Sequence, residues 1–247
     1  MTDEERWSAI AELWHEQVGD EGDRNRIANS DPWLWRFLGP VDGLSVLDAG
    51  CGTGYLSRKL AAAGARVIAV DYSRGMVDLA RRRAPELDVR QGSVSALPEI
   101  AAESVDRYVS NYVWMDAADP SGAAREMARV LVSGGIAVVV ISHPCFPGDL
   151  ASDHPDGPQK VIYTWEYNYF ESQRVVAPPW GRFTTEFVHY HRPLSAYFRA
   201  FRDAGMTVDD FAEPRADPDR FPPETTERHR VIYQVRPYSA VFRLLKP

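Results

Sequence analysis

The residues with the clearest chemical potential are Asp48, Gly50, Gly52 and Gly54, spaced Asp-x-Gly-x-Gly-x-Gly, with a second acid at Asp71. An apolar run leads into the glycines and a helix-like run follows them, so their backbone N–H groups are presented at a helix N-terminus. Such a loop receives a nucleotide-like ligand. A dinucleotide fingerprint, G-x-G-x-x-G, requires glycine at position 55, where this chain has Tyr55. A pyrophosphate needs the close helix–strand approach which that glycine permits. The tighter spacing here leaves room for a compact zwitterion.

Around this motif the chain alternates strands and helices. Thr2 and Glu5 fit a capping box, and Trp7, Ile10, Ala11, Trp14 and Val18 fall on one helical stripe. A polar connection follows, and Ser30 or Asp31 caps a helix with Pro32 in its first turn. Strands are expected over 44–48, 66–71, 87–91, 104–110 and 136–142. Between them lie helices after Gly54, after Ser73 and over 121–132, the last closed by Gly134-Gly135. The near-absence of polar residues from 136–142 indicates a parallel sheet covered on both faces. After Ser142 the rhythm breaks into a stretch rich in proline, glycine and aromatics, in which Tyr163, Trp165, Tyr167 and Tyr169 alternate as on one strand face. A helix at 193–205 and strands at 206–213 and 239–246, separated by the polar stretch 213–230, complete the sheet.

The predicted fold is α/β: a doubly wound, mostly parallel, seven-stranded Rossmann-like sheet with N-terminal helices and an inserted cap. Its divisions are a helical lid over 1–40, a cofactor-binding core over 41–145, a substrate cap over 146–190, and a closing helix and strands over 191–247.

Composition bounds the function. At 45% hydrophobic and 26% charged, the chain has the make-up of a soluble globular protein. A net charge of −7 argues against a general nucleic-acid binder. Two cysteines, Cys51 and Cys145, are too few for a disulfide framework. The spacings of His143, Cys145, His189 and His191 match no metal site, and none is expected. The acidic start and the lack of a run approaching roughly 18 apolar residues point to a cytoplasmic protein without a membrane segment.

With Asp71 placed 17 positions beyond Gly54 and "QGSVSALP" at the third strand, the chain resembles the class I S-adenosylmethionine-dependent methyltransferases, in their bacterial small-molecule branch. The resemblance covers roughly residues 40 to 145 and continues into "HRPLSAYFRAFRDAGMTVDDFAEP". It implies S-adenosyl-L-methionine as cofactor, with S-adenosyl-L-homocysteine as product. Asp48 then orients the loop, while Gly50, Gly52 and Gly54 face the methionine moiety. Asp71 accepts both ribose hydroxyls, and Tyr72 and Met76 border the adenine beside Gly92, Ser93 and Val94. Ser93 stands where the family often has an acid. Asn111 lies near the methionine amine and the methyl group, Arg24 or Arg26 reaches the carboxylate, and Trp14 or His15 closes over the cofactor.

Methyl transfer to an O–H or N–H acceptor also has to dispose of a proton, a task suited to histidine. Asn111, Tyr112 beside it, His143 and His189 are the catalytic candidates. The expected acceptor is an N or O atom of a small aromatic or heteroaromatic metabolite of secondary metabolism, handled by a monomer or homodimer without nucleic-acid or membrane partners. Methylation at carbon, a non-catalytic cofactor-binding module and a nicotinamide oxidoreductase are the alternatives, the glycine spacing arguing against the last.

Overall fold

In the computed structural model, which describes residues 1–148 and 150–247, the capping box forms as expected. Thr2 Oγ1 accepts from the Glu5 N–H and Glu5 Oε2 from the Thr2 N–H. The stripe behind it makes two helices rather than one, α1 (Asp3–Ala9) and α2 (Ala11–Val18), broken at Ile10. A π-helical turn over Arg26–Ser30 leads into α3 (Asp31–Leu38). The alternating core follows as β1 (Ser45–Ala49), α4 (Tyr55–Ala62), β2 (Arg66–Asp71), α5 (Arg74–Arg83), β3 (Asp88–Gln91), β4 (Val105–Asn111), α6 (Pro120–Val130) and β5 (Leu131–Ser142). Two antiparallel hairpins come next: β6 (Ala151–Asp153) with β7 (Val161–Tyr163), and β8 (Gln173–Ala177) with β9 (Phe187–His191). The chain ends with α7 (Leu194–Asp203), β10 (Thr207–Ala212), α8 (Glu227–Val235) and β11 (Ser239–Leu245).

Seven strands form one sheet in the order β10-β11-β5-β4-β1-β2-β3. The five strands from β1 to β5 pair in parallel, and β11 runs antiparallel between β5 and β10. This is the doubly wound, mostly parallel sheet the sequence predicts. Its two faces explain the unbroken apolar strands. Val138 and Val140 pack with Leu34, Leu38, Leu56 and Leu60 of α3 and α4, whereas Val139 and Ile141 pack with Met127 and Phe201 of α6 and α7. Each such side chain is fully buried, which contributes about 1.5–3 kcal/mol. A polar residue on either face would lose that and add a desolvation cost.

Three local expectations are corrected. α6 stops at Val130 and β5 starts at once, with Gly134 and Gly135 inside its first half. There the β4–β5 register jumps from Val105↔Leu131 to Arg107↔Ile136, so the glycine pair forms an excursion rather than a helix cap. The aromatic alternation is a strand only as far as Tyr163. Beyond it Trp165, Tyr167 and Tyr169 gather around the His191 ring with centroids 6.3, 4.7 and 5.6 Å away. The polar stretch 213–230 holds a 3₁₀ turn at Pro218–Arg220 and the start of α8. Thr226 caps α8, and only Ile232 and Tyr233 are buried from it, too short a stripe to show as periodicity.

Among the described residues no helix is long and apolar enough to cross a membrane.

Candidate active site

The carboxyl ends of β1 and β2 are tied by the loop between β1 and α4. The Gly50 and Cys51 N–H groups both donate to the Val70 carbonyl, at 2.7 and 3.0 Å. The Gly52 N–H donates to Asp71 Oδ2 at 2.8 Å, and the Ser73 N–H to Oδ1 at 2.9 Å. One lone pair of each Asp71 oxygen is thereby used, and the others face a cavity of about 300 Å³ that the residue lines. Gly50 has φ +88°, and a Cβ there would lie 2.2 Å from Val113 Cγ2, so any side chain would be strained and would force Val113 to shift. Gly52 faces the Trp14 indole, whose Nε1 would be 3.8 Å from a Cβ.

The inner end of the cavity is polar. Asn111 Nδ2 donates to the Tyr55 hydroxyl at 2.5 Å, which in turn donates to Asp31 Oδ1 at 3.2 Å. Asn111 Oδ1 is buried with no donor among the described residues. The Arg26 guanidinium lies 5.6, 5.5 and 5.2 Å from the ring centroids of Trp14, Tyr55 and Tyr112 and pairs with Asp23 at 2.9 Å. Its Nε has no acceptor among the described residues. Burial works against this charge, but Asp23, the two tyrosines and Asp31 outweigh it, so the pKa of Arg26 is raised. The outer end is lined by Tyr72, Met76, Ser93 and Val94. α1 closes one side: the Gly75 N–H donates to Ser8 Oγ at 3.0 Å, and the Arg74 N–H to Glu4 Oε1 at 2.9 Å. A Cβ on Gly75 would come within 2.7 Å of the Ser8 carbonyl oxygen, which makes that helix contact a glycine position.

The family model described as "Methyltransferase domain" matches residues 47–139, the segment from β1 to β5 that builds this cavity. Over this segment the chain matches a methyltransferase domain, in agreement with its resemblance to the class I S-adenosylmethionine-dependent methyltransferases. The demethylmenaquinone methyltransferase of Renibacterium salmoninarum is 38% identical over 53% of this chain and 53% of that one. A malonyl-[acyl-carrier protein] O-methyltransferase of Yersinia pestis is 40% identical over 38% of this chain and 35% of that protein. The chain thus spans about half the length, or less, of these curated relatives. A solved S-adenosylmethionine-dependent methyltransferase from Mesorhizobium loti covers 92% of this chain and all of its own, with a TM-score of 0.74 at 19% identity, a likeness of fold.

S-adenosyl-L-methionine is the cofactor that this resemblance brings, and the cavity has the complementary groups. The orphaned Asn111 oxygen needs a donor such as an ammonium group, the Arg26 Nε, left over from the Asp23 pair, can donate to an acceptor, and the Asp71 lone pairs need hydroxyl donors. Of the residues expected around it, Asp48, Gly50, Gly52, Asp71, Tyr72, Met76, Ser93, Val94, Asn111, Arg26 and Trp14 line the cavity. Gly54 and Gly92 do not. Gly54 is the N-cap of α4, at φ +84°, and the Gly92 N–H is bonded to the Asp71 carbonyl behind the wall. Of the two arginines Arg26 lines the cavity, whereas Arg24 is exposed and bonds His229 on α8 at 3.1 Å. Trp14 lines the cavity, whereas His15 sits beside it with Nδ1 3.3 Å from Thr53 Oγ1.

The four catalytic candidates do not converge. Asn111 and Tyr112 line the cavity; His143 and His189 do not. His143 is buried against Phe146, with Nε2 2.7 Å from Glu213 and Nδ1 accepting from the Cys145 N–H. That arrangement places the proton on Nε2, facing Glu213. His189 stands opposite Val175 in the β8–β9 hairpin. The Tyr112 hydroxyl is held by Asn25 Nδ2 at 2.7 Å and by Ser239 Oγ, and burial raises its pKa, so it stays a phenol. Asp116, Asp3 and Tyr190 line the cavity without having been singled out from the sequence. Nothing local marks Asp3 or Tyr190, but Asp116 sits in the turn five residues after Asn111, at the sheet end where this fold places ligands.

Burial pushes the Asp48 carboxyl up to about 7, opposed by the Ser57 hydroxyl and reinforced by Asp71. Asp71 itself is pushed up to about 6, by burial against its two backbone N–H donors. Both values lie above the ordinary 3.8, so the neutral forms favour folding, and that stability is lost as the pH rises through these values. An asparagine at 48 does not titrate. The melting temperature of wild type minus that of Asp48→Asn should therefore fall between about pH 4 and pH 7. A difference that stays flat with pH, measured by scanning fluorimetry without ligand, sinks this reading.

Proposed function

We propose that this chain transfers the methyl group of S-adenosylmethionine to a nitrogen or oxygen atom of a small molecule. When bound, the cofactor supplies a methyl group activated by a positive sulfur. What supports the reading is the order that the sheet β4-β1-β2-β3 gives the lining groups: the orphaned Asn111 oxygen at the end of β4 with Arg26 over neighbouring Tyr112, Asp71 at the end of β2, and Val94 after β3. Arg26 holds the amino-acid carboxylate and Asn111 Oδ1 the ammonium. Asp71 accepts the two ribose hydroxyls, and the adenine lies between Met76 and Val94 with Tyr72 at its edge. Asp48 steadies the loop through Ser57.

The N-terminal lid and the 146–190 cap serve to exclude water. Trp7 and Trp14 pack edge to face at 5.1 Å, and Phe187 and Phe183 of the second hairpin and its turn cover them at 5.8 and 6.1 Å. An ordered, dry approach of the acceptor to the methyl group is the protein's main contribution to the rate. The acidic balance of the chain supports a small acceptor over a nucleic acid. The rings of Trp165, Tyr167 and Tyr169, grouped on His191, lie outside the cavity lining, with Trp165 exposed. Contact with the acceptor falls instead to Trp7, Trp14 and Tyr190.

Incubation with methyl-labelled S-adenosylmethionine and a panel of small amines and phenols should yield a labelled small product. Tight binding of S-adenosylhomocysteine with no labelled product across the panel and a cell extract would favour a non-catalytic binding module.

A further inference from the structure

Five carboxylates line the cavity: Asp3, Asp48, Asp71, Asp116 and Asp119. Four of them have hydrogen-bond donors. Asp48 accepts from Ser57, Asp71 from the Gly52 and Ser73 N–H groups, Asp3 from Arg174 and Tyr190, and Asp119 from the Gly122 N–H. Asp116 has no donor among the described residues, yet its side chain is mostly withdrawn from solvent. A carboxylate in that condition is costly, and folds keep such groups chiefly where they act on a ligand.

Its position is set by the turn behind β4. The Asp116 N–H donates to the Val113 carbonyl at 2.8 Å, and Val113 is the side chain packed over Gly50. Asp116, Val113 and Gly50 thus line the same cavity. Burial raises its pKa well above the carboxylate range, Asp3 of α1 and Asp71 of β2 add to this, and Arg192, just after β9, opposes it. The Arg192 guanidinium is itself engaged by the Trp114, Ala117 and Ala118 carbonyls, so it gives Asp116 no direct bond. Against these acids the cavity wall carries, among the described residues, one cation, Arg26, which is already paired with Asp23.

We propose that Asp116 receives the methyl acceptor as a protonated amine and takes its proton during transfer, an assignment that rests on the cofactor reading above. The ammonium is drawn in by the excess of carboxylates, which would repel a phenolate. One N–H proton passes to an Asp116 oxygen. The freed nitrogen lone pair forms the new N–C bond as the S–C bond breaks, and the electron pair of that bond returns to sulfur, leaving a neutral thioether. The methylated nitrogen keeps the positive charge, and Asp116 returns its proton to water when the product leaves. A carboxyl with a raised pKa suits this step, since the neutral acid is within reach near neutral pH.

Sinefungin tests the assignment without knowledge of the acceptor, because it carries an amine-bearing carbon in place of the sulfonium methyl. Calorimetric titration of wild type and Asp116→Asn with sinefungin and with S-adenosylhomocysteine separates the outcomes. Wild type should prefer sinefungin by about tenfold or more, the value of a charge-assisted bond. Asp116→Asn should abolish that preference while its S-adenosylhomocysteine affinity stays within about twofold. In wild type the ratio of the two affinities should also fall as the pH is lowered. Titration of Asp71 affects both ligands alike and cancels from this ratio, which keeps the test intact if the variant fails to fold. Failure of wild type to bind S-adenosylhomocysteine would overturn the underlying cofactor reading. Binding of both ligands with a preference that survives in Asp116→Asn, or that is flat with pH, would overturn the role of Asp116 alone.

Discussion

Asp71→Ala is expected to weaken S-adenosylhomocysteine binding by about 100-fold or more. The Asp71 carboxylate spends one lone pair on the Gly52 N–H and one on the Ser73 N–H, and its remaining lone pairs face the cavity. Two ribose hydroxyls then make charge-assisted bonds worth about 1.5–3 kcal/mol each, and each 1.4 kcal/mol is about tenfold in affinity. Alanine also leaves the two backbone N–H groups unpaired, so the glycine loop loosens and part of the loss is preorganisation. The pH dependence has a fixed sign. The carboxyl is pushed up to about 6 in the free protein, and hydroxyl donors need the ionised form. Affinity for S-adenosylhomocysteine in wild type should hold above that value and fall as the pH drops through it, and in Asp71→Ala this dependence should vanish. Calorimetry at a series of pH values measures both effects. An Asp71→Ala affinity within about threefold of wild type would place the ribose elsewhere.

Gly50→Ala should be among the most damaging single-methyl additions in the chain. Gly50 sits at φ +88° with the prospective Cβ 2.2 Å from Val113 Cγ2 and 2.7 Å from Cγ1. The left-handed backbone costs an alanine about 1 kcal/mol, and the overlap in a packed site adds about 1–3 kcal/mol. For a chain of this size that corresponds to a fall in melting temperature of about 5–15 °C. Gly134 is the control, since it has φ +76° and nothing within 4 Å of a Cβ. Gly134→Ala should cost only the backbone term. The double variant Gly50→Ala with Val113→Ala should recover the steric part of the loss and leave that same term behind. A Gly50→Ala protein melting within about 2 °C of wild type, measured by scanning calorimetry, would show that the loop shifts freely and is not the rigid seat described above.

What could be read from the sequence is what lies close along the chain. Gly50, Gly52, Gly54 and Asp71 belong to one strand–loop–helix–strand unit, so spacing alone brings them to one sheet end. The alternate packing of Val138 to Ile141 on two faces follows from the same local regularity. The parts that were not legible depend on contacts between distant segments. His143 stands at the right end of β5, yet Glu213, 70 residues on, holds its Nε2. Arg24 and Arg26 are two positions apart, and only the packing of α8 shows that His229 takes the first. Trp165, Tyr167 and Tyr169 alternate like a strand, but they cluster around His191 across the cap without strand pairing. Asp116 looks like an ordinary turn acid until every other carboxylate of the cavity is seen to have its donor.

The most direct test is a thermal-shift titration of the wild-type protein with S-adenosylhomocysteine beside NADH. A ligand at about 100 times its dissociation constant stabilises the folded state by about 2.7 kcal/mol, roughly 5–10 °C for a chain this long. A shift of that size with S-adenosylhomocysteine and none with NADH is the expected result. Stabilisation by NADH, or by neither ligand, would contradict the assignment of this cavity to S-adenosylmethionine.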